Sequence, residues 1–298
     1  MELIRAATLT VSDLDRSKNQ YCEWLNYKDV ESGDVNPDLA NSWGTPNTAG
    51  QPYCILQPES GAEIFIRMIE QPRVEGYKAL TSYGWAAIEI CNQDTLAVNE
   101  IMEKSPFEII GPPQALDGLP SIFPMQVKGP DEEIVYLTEF KERKMESYDL
   151  PEAHSLIDRM FILVMACSNL EKSGAWLAKH LLIDQGPPMD LIYTLINNAF
   201  DLPADDKQTI ATLQHERDVF LEIDQYPQEA VSRACHDGML PPCTALASFR
   251  HPEFDRIDAL NKDLWITPPT LHDGLIYNGK CAATLKAPDG TLIEVVEA

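Results

Sequence analysis

The sequence predicts an α+β protein of four β-α-β-β-β modules, two in each half of the chain, with curled mixed or antiparallel sheets and helices outside. Three observations predict it. The chain has 298 residues, a comfortable length for two domains of about 150 residues each. Blocks of sequence recur at offsets of 156 to 158 residues. Strand-like and helix-like stretches also follow one another in the same order in both copies.

The repeat is visible in three places. Val11-Ser12-Asp13-Leu14-Asp15-Arg16-Ser17 matches Cys167-Ser168-Asn169-Leu170-Glu171-Lys172-Ser173. Ile110-Gly111-Pro112-Pro113, then Asp117-Gly118, matches Ile266-Thr267-Pro268-Pro269, then Asp273-Gly274. Gly129-Pro130-Asp131 before Ile134-Val135-Tyr136 matches Ala287-Pro288-Asp289 before Leu292-Ile293-Glu294. Fixed-offset self-similarity marks duplicated units. The expected domains are 1–141 and 156–298, joined by 142–155, where Glu, Lys, Ser and Pro replace the apolar pattern.

In the first half, 5–11 reads as a short strand, and Asp13 offers a capping carboxylate to a helix over 17–25. Strands follow at 53–57, 62–69 and 85–91, a helix at 94–104, and strands at 107–110, 122–128 and 133–139. In the second half, strands fall at 160–167, 218–224 and 244–250, helices at 169–181 and 253–262, and closing strands at 281–286 and 291–297. The stretch 184–216 reads as a helical insertion, on Leu191 to Ile196 and Lys207 to Glu216. A curled sheet with helices on one face presents a concave face, a natural ligand cup.

Composition narrows the function. Acidic side chains number 47 against 23 basic ones, a formal charge of −24. Such a surface repels nucleic-acid phosphates and anionic lipid, so neither is an expected partner. Seven cysteines without a C-x-x-C pair suggest reduced thiols, not a disulfide framework. No apolar run is long enough to span a bilayer, and the N-terminus does not read as a signal peptide. The expectation is a cytoplasmic protein with a small-molecule ligand and self-association limited to a homodimer. The motifs G-x-S-x-G, G-x-G-x-x-G, P-loop and H-E-x-x-H are missing.

The opening Ala7-Thr8-Leu9-Thr10-Val11-Ser12-Asp13-Leu14-Asp15-Arg16-Ser17 with Tyr21, and the closing Asp289-Gly290-Thr291-Leu292-Ile293-Glu294-Val295-Val296, carry a family resemblance. They are similar to the first and last elements of vicinal-oxygen-chelate proteins, the glyoxalase, bleomycin-resistance and extradiol-dioxygenase group, in its two-domain tandem form. The resemblance covers nearly the whole chain and implies paired modules forming two cups, one per half. It also implies a divalent ion held by His and Glu from the first and last strand of each module. Aligned on strand and helix starts, those positions fall at Ala6, Phe65, Trp85 and Tyr136, then at Ile162, Phe220, Thr244 and Glu294. Only Glu294 can bind a metal. A register shifted by two brings in Arg67, Glu89 and Glu222, but no histidine. Neither a metal nor another cofactor is therefore expected.

Residues two apart on a strand share a face. On that basis Phe65, Trp85 and Tyr136 would wall the first cup around Arg67, with Phe220, Thr244 and Glu294 as further ligand contacts. Arg67 would hold a carboxylate or phenolate. Tyr136, Glu89, Glu222 and His272 are the candidate acids and bases. The leading expectation is a metal-independent lyase or isomerase acting on a small carbonyl, phenolic or aromatic compound. The alternatives are a non-catalytic binding or resistance protein, and a metal-dependent glyoxalase or dioxygenase whose ligands lie in another register.

Overall fold

A computed structural model describes residues 2–116, 118–145 and 148–298. Met1, Asp117 of the repeated Asp-Gly pair and residues 146–147 of the join lie outside the described residues. Module one runs β1 (Ile4–Val11), α1 (Leu14–Trp24), β2 (Lys28–Asp34), α2 (Pro37–Ser42), β3 (Pro52–Gln57) and β4 (Phe65–Glu70). Module two is β5 (Gly84–Asn92), α3 (Thr95–Met102), β6 (Glu108–Gly111), β7 (Ile122–Lys128) and β8 (Ile134–Phe140). Module three holds β9 (Ile157–Cys167), α4 (Leu170–Leu181), β10 (Asp184–Gln185), β11 (Met189–Ile192), α5 (Thr194–Ala199), β12 (Lys207–His215) and β13 (Asp218–Gln225). Module four closes with β14 (Cys243–His251), α6 (Phe254–Asn261), β15 (Thr270–His272), β16 (Lys280–Lys286) and β17 (Leu292–Glu297).

The helix starts follow from side-chain caps. Asp13 accepts from the Arg16 amide, Asn169 from the Lys172 amide, and Asp94 from the amides of Leu96 and Ala97. Each satisfies backbone donors that the first helical turn leaves unpaired. The reading of 207–216 as helix is corrected: Lys207–His215 is strand β12, paired antiparallel with β13. Its β-branched Thr209, Ile210 and Thr212 favour extended backbone, and that pairing supplies its hydrogen bonds. Within 184–216 only the six residues of α5 are helical.

Two sheets form, and neither is built from one half. The eight-stranded sheet runs β15-β16-β17-β14-β1-β4-β3-β2 and joins modules one and four. The nine-stranded sheet includes β10-β12-β13-β9-β5-β8-β7-β6 and joins modules two and three, with β11 on β12. The expected cup per half is thereby corrected: each cup takes one module from each half. The joints are antiparallel, β1 on β14 and β5 on β9, while first and last strands within a module pair in parallel. One apolar cluster runs through both sheets, including Leu9, Ile66, Trp85, Leu163, Phe220, Phe249 and Ile293.

The repeated blocks meet in space. The Asp131 carboxylate accepts from the Ser12 amide and hydroxyl, at 3.1 and 2.6 Å. Asp289 does the same for Ser168, at 2.8 and 2.7 Å. Each half is thus tied to itself by its Pro-Asp turn, although its strands pair with the other half. Burial opposes charge on Asp131, but hydrogen bonds from Ser12, Arg16 and Ser17 hold its carboxyl below the usual range.

Candidate functional site

The floor of the first cup is set by two parallel strand pairs, which place Thr8 beside Arg67 and Ser248 beside Glu294. Arg67 donates from Nε and Nη2 to Thr8 Oγ1, at 3.0 and 2.9 Å, and from Nη1 to Tyr277 Oη at 2.8 Å. Its Nη2 lies 3.8 Å from Glu294 Oε2, and Trp43 lies 4.4 Å beneath the guanidinium. Glu294 accepts from Trp43 Nε1 at 2.7 Å, Ser248 Oγ at 2.5 Å and Tyr277 Oη at 3.0 Å. The pair is almost sealed, at 3% and 0% exposure. A buried ion pair survives its desolvation cost only when its remaining donors and acceptors are satisfied, and this one is hydrogen-bonded from both sides. Burial alone would weaken the Arg67 charge, yet Tyr277 and Glu294 hold it above its ordinary value.

Above this floor lies a cavity of about 450 Å³ walled by Trp43, Tyr53, Ile55, Ile276, Tyr277 and His272. Glu31, Asp34, Asp38 and Asp273 also line it. Tyr53 donates to Glu31 at 2.9 Å, and burial together with that carboxylate pushes its phenol up to about 12. His272 is buried and its Nε2 lies 3.0 Å from Thr270 Oγ1. Burial lowers its proton affinity, so it stands neutral near pH 7.

The second cup has different contents. Tyr193, Leu195 and Ile196 of the β11–α5 segment fill it, packed with Tyr136, Ile162, Val164 and Val219. Glu89, Glu222 and Asp224 stand beneath them. Thr138 Oγ1 donates to Glu89 at 2.5 Å, Tyr136 and Tyr193 hydroxyls are 2.7 Å apart, and Tyr193 reaches Glu222 at 3.4 Å. Burial, then Glu222, pushes Glu89 up to about 8, and burial raises Glu222 to about 7. Glu222 keeps some exposure, although protein atoms crowd it on every side. Asp224 is driven up by burial and by Glu222, whose carboxyl it meets.

The structure therefore divides the expected site residues. Arg67, Glu294 and His272 share the first cup. Glu89, Glu222 and Tyr136 share the second. The expected grouping of Phe65, Trp85 and Tyr136 around Arg67 is corrected. Phe65 stays beside the first cup, packed with Ile55, Ile276 and Tyr277, and its ring centre lies 4.8 Å from the Arg5 guanidinium carbon. Trp85 and Phe220 pack edge-on against Phe249 in the core, and Trp85 donates to the Leu292 carbonyl. Thr244 is buried and its hydroxyl has no hydrogen-bond partner among the described residues. The aromatic walls are instead Trp43, Tyr53 and Tyr277, which the sequence reading did not single out. Trp43 and Tyr277 sit outside the strands, so alternation carries no signal for them; Tyr53 sits on a strand without being read as cup-facing.

In the register shifted by two, strand pairing sets Thr8 beside Arg67 and Val164 beside Glu222. In the first cup the charged group nearest Glu294 is a cation of the chain's own, Arg67. In the second cup the acids are strung along β5 and β13 with β9 between them. Among the described residues no group of three or more His, Cys, Asp or Glu side chains is placed to hold a metal ion. These residues do not fit the ion that the fold implies.

No protein-family model and no curated protein matches the chain. Solved structures do. Glyoxalase I from Zea mays superposes with a TM-score of 0.62 at 17% identity, covering 99% of this chain and 92% of that one. A candidate dioxygenase from Bacillus subtilis gives 0.64 at 12% identity, covering 99% and 85%. The fold is that of the vicinal-oxygen-chelate superfamily. The cppA protein from Streptococcus pneumoniae, at a TM-score of 0.52 and 10% identity, spans 100% of this chain and 99% of its own. At these identities the likeness is one of fold, and the function of this chain must be read from its own residues.

Proposed function

We propose that the protein binds a small organic molecule in the first cup, on a floor formed by the Arg67–Glu294 pair and without a divalent ion. The observation that carries this is the position of Arg67, whose guanidinium lies at the base of the cavity and is held by Thr8, Tyr277 and Glu294. Its hydrogen bonds are directed into the protein and Trp43 covers one face, so the ligand carboxylate expected to engage it meets a guanidinium already engaged. Aromatic walls below a mouth bearing Glu31, Asp34, Asp38 and Asp273 suit a flat ligand whose polar end is neutral or positive. Turnover is the second reading: neutral His272 on the cavity wall is the base available for a lyase or isomerase proton transfer.

The cysteines, all free thiols, support a reducing compartment, and the cytoplasm is the location proposed. No described helix is long and apolar enough to cross a membrane. The small molecule is the principal partner, and a homodimer is the assembly proposed.

The test is calorimetric titration of protein dialysed against EDTA with benzylamine, benzyl alcohol and benzoate. The amine and alcohol are expected to bind, and benzoate to bind at least about tenfold more weakly, with Trp43→Ala abolishing all binding. Binding that requires a stoichiometric metal, or a preference for benzoate, would overturn the proposal.

A further inference from the structure

A second cavity, of about 770 Å³, is walled by the start of β5, the 232–241 stretch that leads into β14, and the β16–β17 turn. Of the residues that line it, only Trp43 also lines the first-cup cavity. Its volume is that of a site for a small organic molecule. Two strong bases line it, Arg233 and Lys286.

Arg233 is fixed in place. Its Nε donates to Ser82 Oγ at 3.1 Å and its Nη1 to the Thr244 carbonyl at 3.0 Å. Its guanidinium carbon lies 5.6 Å from the centre of the Tyr77 ring. Gly84 makes room for it: a Cβ there would stand 3.4 Å from Arg233 Cζ, and the φ of 111° suits glycine. These bonds use Nε and Nη1, while Nη2 has no acceptor among the described residues. A guanidinium held this way keeps oriented donors that lose little freedom on meeting an anion. The wall has further donors unused, since the buried hydroxyls of Thr244 and Thr291 have no hydrogen-bond partner among the described residues.

Neither cation is neutralised by the chain. The groups that feel the Arg233 charge are the phenols of Tyr77 and Tyr226 and the Cys243 thiol. No carboxylate among the described residues lies within ion-pair distance of Arg233 or Lys286. Of the acids lining the cavity, Asp289 is taken up by the Ser168 amide and hydroxyl, and Asp237 is exposed. In a chain with 47 acidic and 23 basic side chains, two bases left without an acid at one cavity are conspicuous. The overall negative charge does not cancel them, because exposed charges are screened over about 8 Å at physiological ionic strength.

We infer that this cavity is a second ligand site, and that it takes the phosphate group of an organic phosphate monoester on Arg233 and Lys286. Nη2 of Arg233 offers two N–H donors to phosphate oxygens, and the Lys286 ammonium supplies the second positive charge. A dianion matches both cations, whereas a carboxylate leaves one unmatched. The phosphate occupies only part of the space, and the remainder, with Tyr83 on its wall, receives the organic part. Free phosphate would leave that part to water.

Calorimetric titration of the full-length protein at pH 8, where phosphate monoesters are dianions, tests this with phenyl phosphate, inorganic phosphate and benzylamine. Phenyl phosphate should bind at least about tenfold more tightly than inorganic phosphate, because its ring is buried as well. Arg233→Met should weaken phenyl phosphate at least about tenfold. Lys286→Glu, at an exposed position, should also weaken it, and serves if Arg233→Met fails to fold. Neither variant should change benzylamine binding, and saturating benzylamine should leave the phenyl phosphate affinity unchanged, so the first-cup reading and this one fail separately. No binding of phenyl phosphate, equal affinity for inorganic phosphate, variants that bind like the wild type, or competition with benzylamine would each overturn the inference.

Discussion

The two cups share one strand plan and solve the same electrostatic problem in opposite ways. In the first, a buried carboxylate is met by a guanidinium and three hydrogen-bond donors, and a cavity lies beside the guanidinium. In the second, buried carboxyls have no cation, hold their protons and are covered by Tyr193 and α5. The difference turns on what stands opposite the acid: Arg67 in one cup, other acids in the other. Charge compensation leaves a seat that tolerates an open cavity. Protonation works only while water is kept out.

Breaking the compensated pair should have the largest effect. Arg67→Met leaves Glu294 charged and unpaired, and is expected to cost about 3–5 kcal/mol in chemical denaturation. Adding Glu294→Gln should return much of that loss, because the uncompensated charge is then gone. A double variant no more stable than Arg67→Met would show that the two cups do not differ in this way.

The pH dependence comes next. Glu89 and Glu222 have folded-state values above the ordinary carboxylate value, so their contribution is full below about pH 4.5 and is lost as pH rises toward 7–8. Each should lower stability by about 1.4 kcal/mol per pH unit within its window. Melting temperatures of the wild type should therefore fall from pH 5 to 8, and Glu89→Gln should reduce the slope. Arg67→Met should not reduce that slope, because it leaves the second-cup acids in place and removes a cation from beside another buried carboxyl.

Smaller changes sharpen the contrast. Trp43→Phe removes the donor to Glu294 and is expected to cost about 1–3 kcal/mol by urea denaturation. Tyr193→Phe removes only a hydroxyl from the segment that covers the second cup, and should cost about 1 kcal/mol while raising hydrogen exchange in 189–199 alone.

The repeat was legible in the sequence because its blocks do the same structural work twice, as Ser12 with Asp131 and Ser168 with Asp289 show. The pairing of modules across the halves was not. β1 is buried along its whole length, so no alternation marks its faces, and whether it joins β14 or β5 is decided by tertiary packing. Counting cup-facing positions from a strand start is uncertain for a related reason. β1 and β5 carry irregularities, between Ile4 and Ala6 and between Trp85 and Ala87, that defeat counting by twos from a strand start. Glu294 was legible because the family resemblance aligns a ligand position on it, and Arg67 because it shares a strand face with Phe65. Trp43 and Tyr277 lie beyond α2 and β15, where no periodicity points to them.

The central claim is that only the first cup receives a ligand, on Arg67 and not on a metal. A crystal structure of EDTA-treated protein grown with benzylamine tests it most directly. The account predicts density between Trp43, Tyr53 and Tyr277, with Arg67 still on Thr8 and Glu294 and the second cup filled by Tyr193. A metal ion on Glu294 with Arg67 displaced, or ligand density beside Glu89 and Glu222, would contradict it.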